Sequence, residues 1–279
     1  MLKVWIKNNK LRERISLTIC HRHIKHDVEL IKLPCYMKWI KMILMALIMT
    51  NTACAKEFEK DTFKAPSGKE IEIYAIKHGS MRIVFDGKEI EVDPVEALEP
   101  ATDYSFLPKA DFILVTHEQF DHLDKKAIAH LTKADTRIIT NLNCEKILGK
   151  GEIMKNGDHK QLAENISVDA VPAYNTTPAH TKFHPKGRDN GFVLSLDGFR
   201  IYVAGDTENI EEMKDLKNID VAFLPTNQPF TMTPEQTAKA ASIIKPKVLF
   251  PYHYGETHIN KVEELLKGSG IEVRIRNYQ

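Results

Sequence analysis

Cysteine is scarce in this 279-residue chain: there are four, and Cys20, Cys35 and Cys54 all fall within the first 55 residues. Only Cys144 stands in the remainder, which therefore has no internal disulfide and must be held by its core. A solitary Cys of this kind fills apolar space as a small hydrophobe. Long apolar runs are also missing, since the stretch at 42–49 is far short of the ~20 residues that span a bilayer. Strong net charge is missing too, but the overall +1 averages two unlike segments. Residues 1–55 hold ten Lys/Arg against three Asp/Glu, and the rest holds 29 against 35. An acidic body excludes nucleic acid as the main partner, although solubility alone accounts for the charge equally well. With 43% hydrophobic and 28% charged residues and no repeat, the composition is that of a soluble globular protein.

Residues 37–55 read MKWIKMILMALIMTNTACA. Lys38 and Lys41, a short apolar stretch and a run of small residues follow the order of a secretory signal. Ala53-Cys54-Ala55 fits cleavage before Lys56. Alternatively Cys54 is the lipidated cysteine that attaches the protein to a membrane, against which stands Asn51 where such signals carry an aliphatic residue. Residues 1–36 are basic and without period, as expected if Met37 is the true start. The expectation is an exported protein, periplasmic or envelope-anchored, with a leader over 1–55 and one domain over 56–279.

That domain opens with β-structure. Residues 70–76 alternate apolar and polar, and 81–85 and 88–92 form a hairpin across Asp86-Gly87. The apolar run 111–116 predicts a buried strand, and Leu123, Ala127, Ile128 and Leu131 fall at helical spacing over 124–131. Further strands are predicted at 137–140, 166–171, 191–196, 199–204, 220–224, 247–251 and 271–275, with a second hairpin turn at Asp197-Gly198. Thr233-Pro234-Glu235-Gln236 predicts a capped helix over 233–244, and another follows at 260–266. About a dozen short strands and four helices suit mixed sheets packed face to face with helices outside.

The chemistry concentrates in Val115-Thr116-His117-Glu118-Gln119-Phe120-Asp121-His122-Leu123-Asp124. A buried strand runs into a polar cluster and then a helix. His117 and Gln119, two apart on extended chain, face the same way, and Asp121 and His122 sit at the helix start. His and Asp at such spacing enclose a transition metal. Asp93, His184, Asp206 and His253 each flank another strand end, the layout of a site at one edge of a sandwich. Singly, each is weak, because a loop His is more often on the surface than a ligand.

Taken together with AYNTTPAHTKFHPKGRDNGFVL, AGDTENIEEM, PTNQPFTMTPEQ and FPYHYG, this pattern resembles metallo-β-lactamase superfamily hydrolases over nearly all of residues 70–279. It looks closest to the ascorbate-6-phosphate lactonase-like branch and is more distantly similar to the N-acyl-phosphatidylethanolamine phospholipase D branch. The resemblance implies an α+β, four-layer αββα metallo-β-lactamase-type sandwich and a metal-dependent hydrolase that uses activated water on a phosphoester, lactone or similar small-molecule ester. It implies one or two Zn2+ ions, or Mn2+. His117, position 119 and a middle His would hold a first metal; Asp121, His122 and His253 a second; Asp206 would bridge. His184 is the middle His on its place before a strand, with His180 its rival. Asp121 would act as the catalytic carboxylate, and Asp93 as support for a ligand. His78, Asn175, Lys186, Asn190 and Tyr252 would line the substrate pocket, with Tyr174, Arg188 and the Thr226-Asn227-Gln228 stretch in the same blocks; turn chemistry and solvated loop charge explain the loop positions as well.

Gln119 departs from the family's HxHxDH pattern. An amide oxygen is a neutral, harder ligand than imidazole and weakens a zinc site. Three readings stay open: a one-metal enzyme, a Gln-ligated site favouring manganese, or a degenerate metal- or ligand-binding relative without turnover.

Overall fold

A computed structural model of the chain describes residues 58–278. The signal-like segment, Cys54 and the proposed start at Met37 lie outside the described residues.

Fourteen strands form two seven-stranded sheets, ordered β1-β2-β3-β4-β5-β6-β7 and β14-β13-β12-β11-β10-β9-β8. In the first, β1 (Lys60–Lys64), β2 (Glu70–Lys77), β3 (Ser80–Phe85) and β4 (Lys88–Val92) are antiparallel neighbours. Then β5 (Phe112–Leu114), β6 (Arg137–Thr140) and β7 (Glu152–Ile153) add in parallel. The second sheet repeats the scheme. β8 (His159–Ala163), β9 (Ile166–Ala173), β10 (Asp189–Leu196) and β11 (Phe199–Val203) are antiparallel, and β12 (Val221–Pro225), β13 (Val248–Tyr252) and β14 (Glu272–Val273) are parallel. The two hairpin turns are as expected: Asp86, Gly87, Asp197 and Gly198 all have positive φ, which gives the twist that two-residue loops need.

Three apolar clusters separate four layers. Alternating inward residues of both sheets, among them Ile73, Ile83, Phe85, Val168, Phe192 and Phe223, fill the centre. Behind the first sheet, α1 (Lys125–Leu131) packs Ala127, Ile128 and Leu131 against Ile113, Val115 and Cys144. Behind the second, α3 (Pro234–Ile244) and α4 (Asn260–Leu265) cover Tyr202, Ala222 and Leu224. Cys144 is buried as a filler, and burial pushes its thiol up to about 12. The αββα sandwich follows.

Several boundaries differ from the sequence reading. The strand expected over 111–116 stops at Leu114, because the Thr116 amide leaves the ladder for the Asp93 carboxylate at 2.8 Å. Asp121 and His122 do not open α1. Asp124 caps it, accepting from the Lys126 and Ala127 amides, and His122 and Leu123 fold back in a turn onto the Gln119 carbonyl. α3 begins where expected, with the full capping box between Thr233 and Gln236. β1, β7, β8 and α2 (Leu142–Leu148) were not anticipated. β1 (KDTFK) and β8 (HKQLA) are edge strands whose charge blurs alternation. Arg274 and Arg276 clamp the Asp61 carboxylate of β1 at 2.7–2.9 Å, joining the chain's end to that edge.

One polar group breaks the pattern. Glu91 on β4 is fully buried, and neither carboxylate oxygen has a hydrogen-bond partner. Burial holds its carboxyl well above the ordinary 4.5. The folded chain therefore holds this proton more tightly than the unfolded chain. The stability contributed is full below about pH 4.5 and is lost as pH rises through the raised folded-state value. Glu91→Gln, neutral at every pH, should melt higher than the parent at pH 8, by about 2–4 °C per kcal/mol recovered, and nearly level with it at pH 4. A melting difference that does not change between those two pH values would contradict this account.

Candidate metal centre

The edge where β2, β4, β5, β11 and β13 end carries His78, Asp93, His117, Asp206 and His253, each one to three residues beyond its strand. β10 runs antiparallel to β11, so its start brings Asp189, and His184 before it, to the same edge. Tight backbone geometry holds these groups there. His78, Asp93 and His253 have φ of 48°, 45° and 51°, a region that costs a non-glycine residue about 1–3 kcal/mol and clusters at functional sites. Gly205 has a φ of 62°, and a Cβ there would lie 2.8 Å from the Asn190 carbonyl oxygen. Only glycine lets the chain turn there to present Asp206.

The side chains converge on Asp206. Its Oδ2 lies 3.3 Å from His253 Nε2, 3.4 Å from His184 Nε2 and 3.9 Å from His117 Nε2, and its Oδ1 lies 3.3 Å from His122 Nε2. Asp121 Oδ2 lies 3.2 Å from His78 Nε2 and 3.6 Å from His253 Nε2. Two overlapping groups have geometry suited to a cation, His78/Asp121/His122/His253 and His117/His122/Asp206. Burial pushes His117 down to about 3, abetted by His122. Burial also opposes charge on His122, but the Asp206 and Asp93 carboxylates outweigh it and raise that ring well above 6.5. Burial disfavours the Asp206 carboxylate, yet His253, His122 and His117 around it hold its pKa well below the ordinary value.

These residues fit a divalent cation. The Nε2 atoms of His117, His122, His184 and His253, with Asp206 Oδ1 and Asp121 Oδ1, are buried and have no hydrogen-bond partner. Six such atoms in one place are costly unless something binds them. Supporting contacts aim them inward. Asp93 Oδ2 takes His122 Nδ1 at 2.8 Å, and Asp189 Oδ2 takes His184 Nδ1 at 3.0 Å. Each pairing leaves Nε2 as the ligating nitrogen, the usual carboxylate–histidine–metal arrangement. Asp93 is itself fixed by the Thr116 amide and hydroxyl at 2.8 and 2.6 Å.

The structure brings together His117, Asp121, His122, His184, Asp206 and His253. His180 stands apart, its Nδ1 3.0 Å from Glu208. The Gln119 amide nitrogen donates to the Phe183 carbonyl at 3.2 Å. Of the residues expected to meet substrate, His78 opens onto a cavity beside Asp121. The others have these surroundings. Asn175 is buried and staples the Phe230 carbonyl at 2.7 Å. Asn190 is buried and bonded to Asn156 and the Met154 carbonyl. Tyr252 belongs to the inter-sheet core. Lys186 turns outward onto Glu212 and Tyr174. Asp189 and Gly79 were not foreseen: the first reaches the His184 ring across the short turn between them, and the second acts through space, since a Cβ on it would lie 2.7 Å from His122 Cε1.

Two substitutions probe this support without removing a ligand. Asp93→Asn and Gly79→Ala should each weaken metal affinity about 10–100-fold, read by competition with a chromophoric chelator. Affinity equal to the parent's in both would mean that His122 is not held as described.

The beta-lactamase superfamily domain matches residues 72–253. A UPF0173 metal-dependent hydrolase of Thermococcus onnurineus is 32% identical over 195 residues, 66% of this chain and 84% of its own. One from Caldivirga maquilingensis is 31% identical over 182 residues, 63% of this chain and 79% of its own. A crystal structure from Parabacteroides distasonis, of a protein named a metal-dependent hydrolase, has 56% identity and a TM-score of 0.77, and covers 80% of this chain and all of its own. A metallo hydrolase from Ignicoccus hospitalis, at 22% identity and TM-score 0.63, shares the fold. The chain belongs to the metallo-β-lactamase superfamily of metal-dependent hydrolases.

Proposed function

We propose that the chain hydrolyses a small ester, lactone or phosphoester, as in the lactonase-like branch that it resembles, with Zn2+ or Mn2+ as cofactor. The observation that carries this reading is the set of four unpartnered Nε2 atoms gathered on the Asp206 carboxylate. His117, His184 and Asp206 would hold a cation on one side, and Asp121, His122, His253 and Asp206 on the other. When bound, such a cation lowers the pKa of water to about 7 and stabilises negative charge on a carbonyl or phosphoryl oxygen.

The remaining work falls to side chains. Asp121 lies at the cavity, and although burial disfavours its charge, the adjacent His253 ring and the hydrogen bond from His78 keep its pKa far below the ordinary value. It is thus an anion at neutral pH, able to orient a water and accept its proton. His78, hydrogen-bonded to Asp121 at 3.2 Å, fixes that carboxylate and faces the cavity where substrate enters. Asp93 and Asp189 hold the His122 and His184 rings so that catalysis needs no rearrangement.

Gln119 bears on how many cations bind. Its amide nitrogen donates to the Phe183 carbonyl, so only the neutral amide oxygen is left to face a cation; that oxygen is a poorer zinc ligand than imidazole, which favours one strongly held ion on the Asp121 side over two equal ones. Gln119→His should add zinc affinity at the His117 side. An unchanged or lower affinity would argue that Gln119 is an adapted ligand. The hydrolase reading is tested with p-nitrophenyl acetate, a γ-lactone and a phosphodiester, with and without chelator. Chelator-sensitive turnover of at least one is expected, and Asp121→Ala should cut it about 10²–10⁴-fold. Turnover that survives Asp121→Ala would overturn the assigned role. We further propose export, on the composition of 37–55, with 56–279 as the mature domain. N-terminal mass spectrometry of the processed protein distinguishes cleavage before Lys56 from lipidation at Cys54, and an intact Met1 would contradict both.

A further inference from the structure

The cavity beside the metal centre is about 480 Å³, a size that seats a small organic group. Two of its lining residues, His78 and Asp121, belong to the candidate centre, so anything reacting there extends into this space. Its other walls are unlike those of an anion site. Phe120, between Gln119 and Asp121, is 76% exposed, and Leu98 and Tyr254 join it. Together these side chains give the cavity an apolar wall beside the Asp121 carboxylate.

The charges point the same way. Glu99 and Glu256 are exposed at the cavity, and neither has an ion-pair partner among the described residues. Lys77, the cation of the lining, is buried, and its amine donates to the Pro100 carbonyl. The two loop cations that would have suited an anionic substrate are neutralised elsewhere. Lys186 pairs with Glu212 at 2.8 Å, and Arg188 with Asp189 at 2.7 Å.

Resting on the hydrolase reading above, we infer that the part of the substrate pointing away from the scissile bond is an apolar group, uncharged or cationic, seated against Phe120 and screened from anions by Glu99 and Glu256. Phe120 contributes apolar area and, for a cation, the face of its ring. The two glutamates act as a repulsive filter, which sets specificity as much as attraction does.

The test uses the full chain, loaded with metal, and four acetate esters with the same scissile bond: ethyl, 2-phenylethyl, and 2-phenylethyl carrying an aminomethyl or a carboxylate on the ring. The phenylethyl and aminomethyl esters should exceed ethyl acetate in kcat/KM by about tenfold or more, the scale of discrimination an apolar pocket gives. The carboxylate ester should fall below the phenylethyl ester by a similar factor. Phe120→Ala should raise KM for the phenylethyl ester several-fold more than it lowers kcat. Glu99→Gln with Glu256→Gln should narrow the penalty on the carboxylate ester. Preference for the carboxylate ester, or a Phe120→Ala effect equal on all four, would overturn the inference while leaving the hydrolase intact. If no ester turns over, the hydrolase reading for esters fails separately, and equilibrium dialysis of 2-phenylethanol against its ring carboxylate still reads the cavity. Tighter binding of the alcohol, weakened by Phe120→Ala, supports the inference; equal or reversed binding overturns it.

Discussion

The pairing of Asp93 with His122 is the interaction on which the rest of the site depends. One carboxylate, buried beyond the end of β4, takes His122 Nδ1 at 2.8 Å and the Thr116 amide and hydroxyl. It thereby fixes one ring and stops β5 two residues early, which releases His117 from the ladder. The Thr116 hydroxyl in turn lies 3.0 Å from His117 Nδ1. Strand end, ring orientation and ligand direction are set by a single buried anion. Its counterpart is Asp189, which orders His184 from the other sheet. The two sheets follow the same antiparallel-then-parallel scheme, and each contributes one carboxylate–histidine pair to the shared edge.

This arrangement is expensive in isolation. Buried nitrogens and oxygens without partners, and three non-glycine residues at positive φ, all oppose folding. The inter-sheet core and the two helix-backed clusters supply the stability that tolerates them. A cation bound at the centre would remove most of the polar cost, so metal binding and stability should be linked in this chain.

Much of this was legible in the sequence because it is local. His117, Asp121 and His122 lie within six residues, the hairpins announce themselves through Asp-Gly, and the αββα class follows from the resemblance. Asp93 could be suspected from its place past a strand. What escaped depends on how the chain folds back in space. Asp189 lies only five residues after His184, but it is the turn between them that brings its carboxylate to the ring, and Gly79 matters because His122, 43 positions later, needs its space. Asn190 and Asn175 show why such blocks are hard to read, since polar residues in them look alike whether they face a pocket or knit loops together. The loop cation Lys186 carried no sign of Glu212, which neutralises it from 26 positions away, whereas the partner of Arg188 is its neighbour Asp189. Glu91, a lone carboxyl inside an alternating strand, gave no sign that its side of the sheet is fully buried.

The central claim is that these histidines and carboxylates form a metal centre anchored on the Asp121 side. The most direct measurement is metal content per chain, by elemental mass spectrometry on protein purified without chelator, for the parent and for His253→Ala and His117→Ala. The account predicts about one equivalent in the parent, lost in His253→Ala and retained in His117→Ala. No metal in the parent, even after incubation with zinc or manganese, would contradict it.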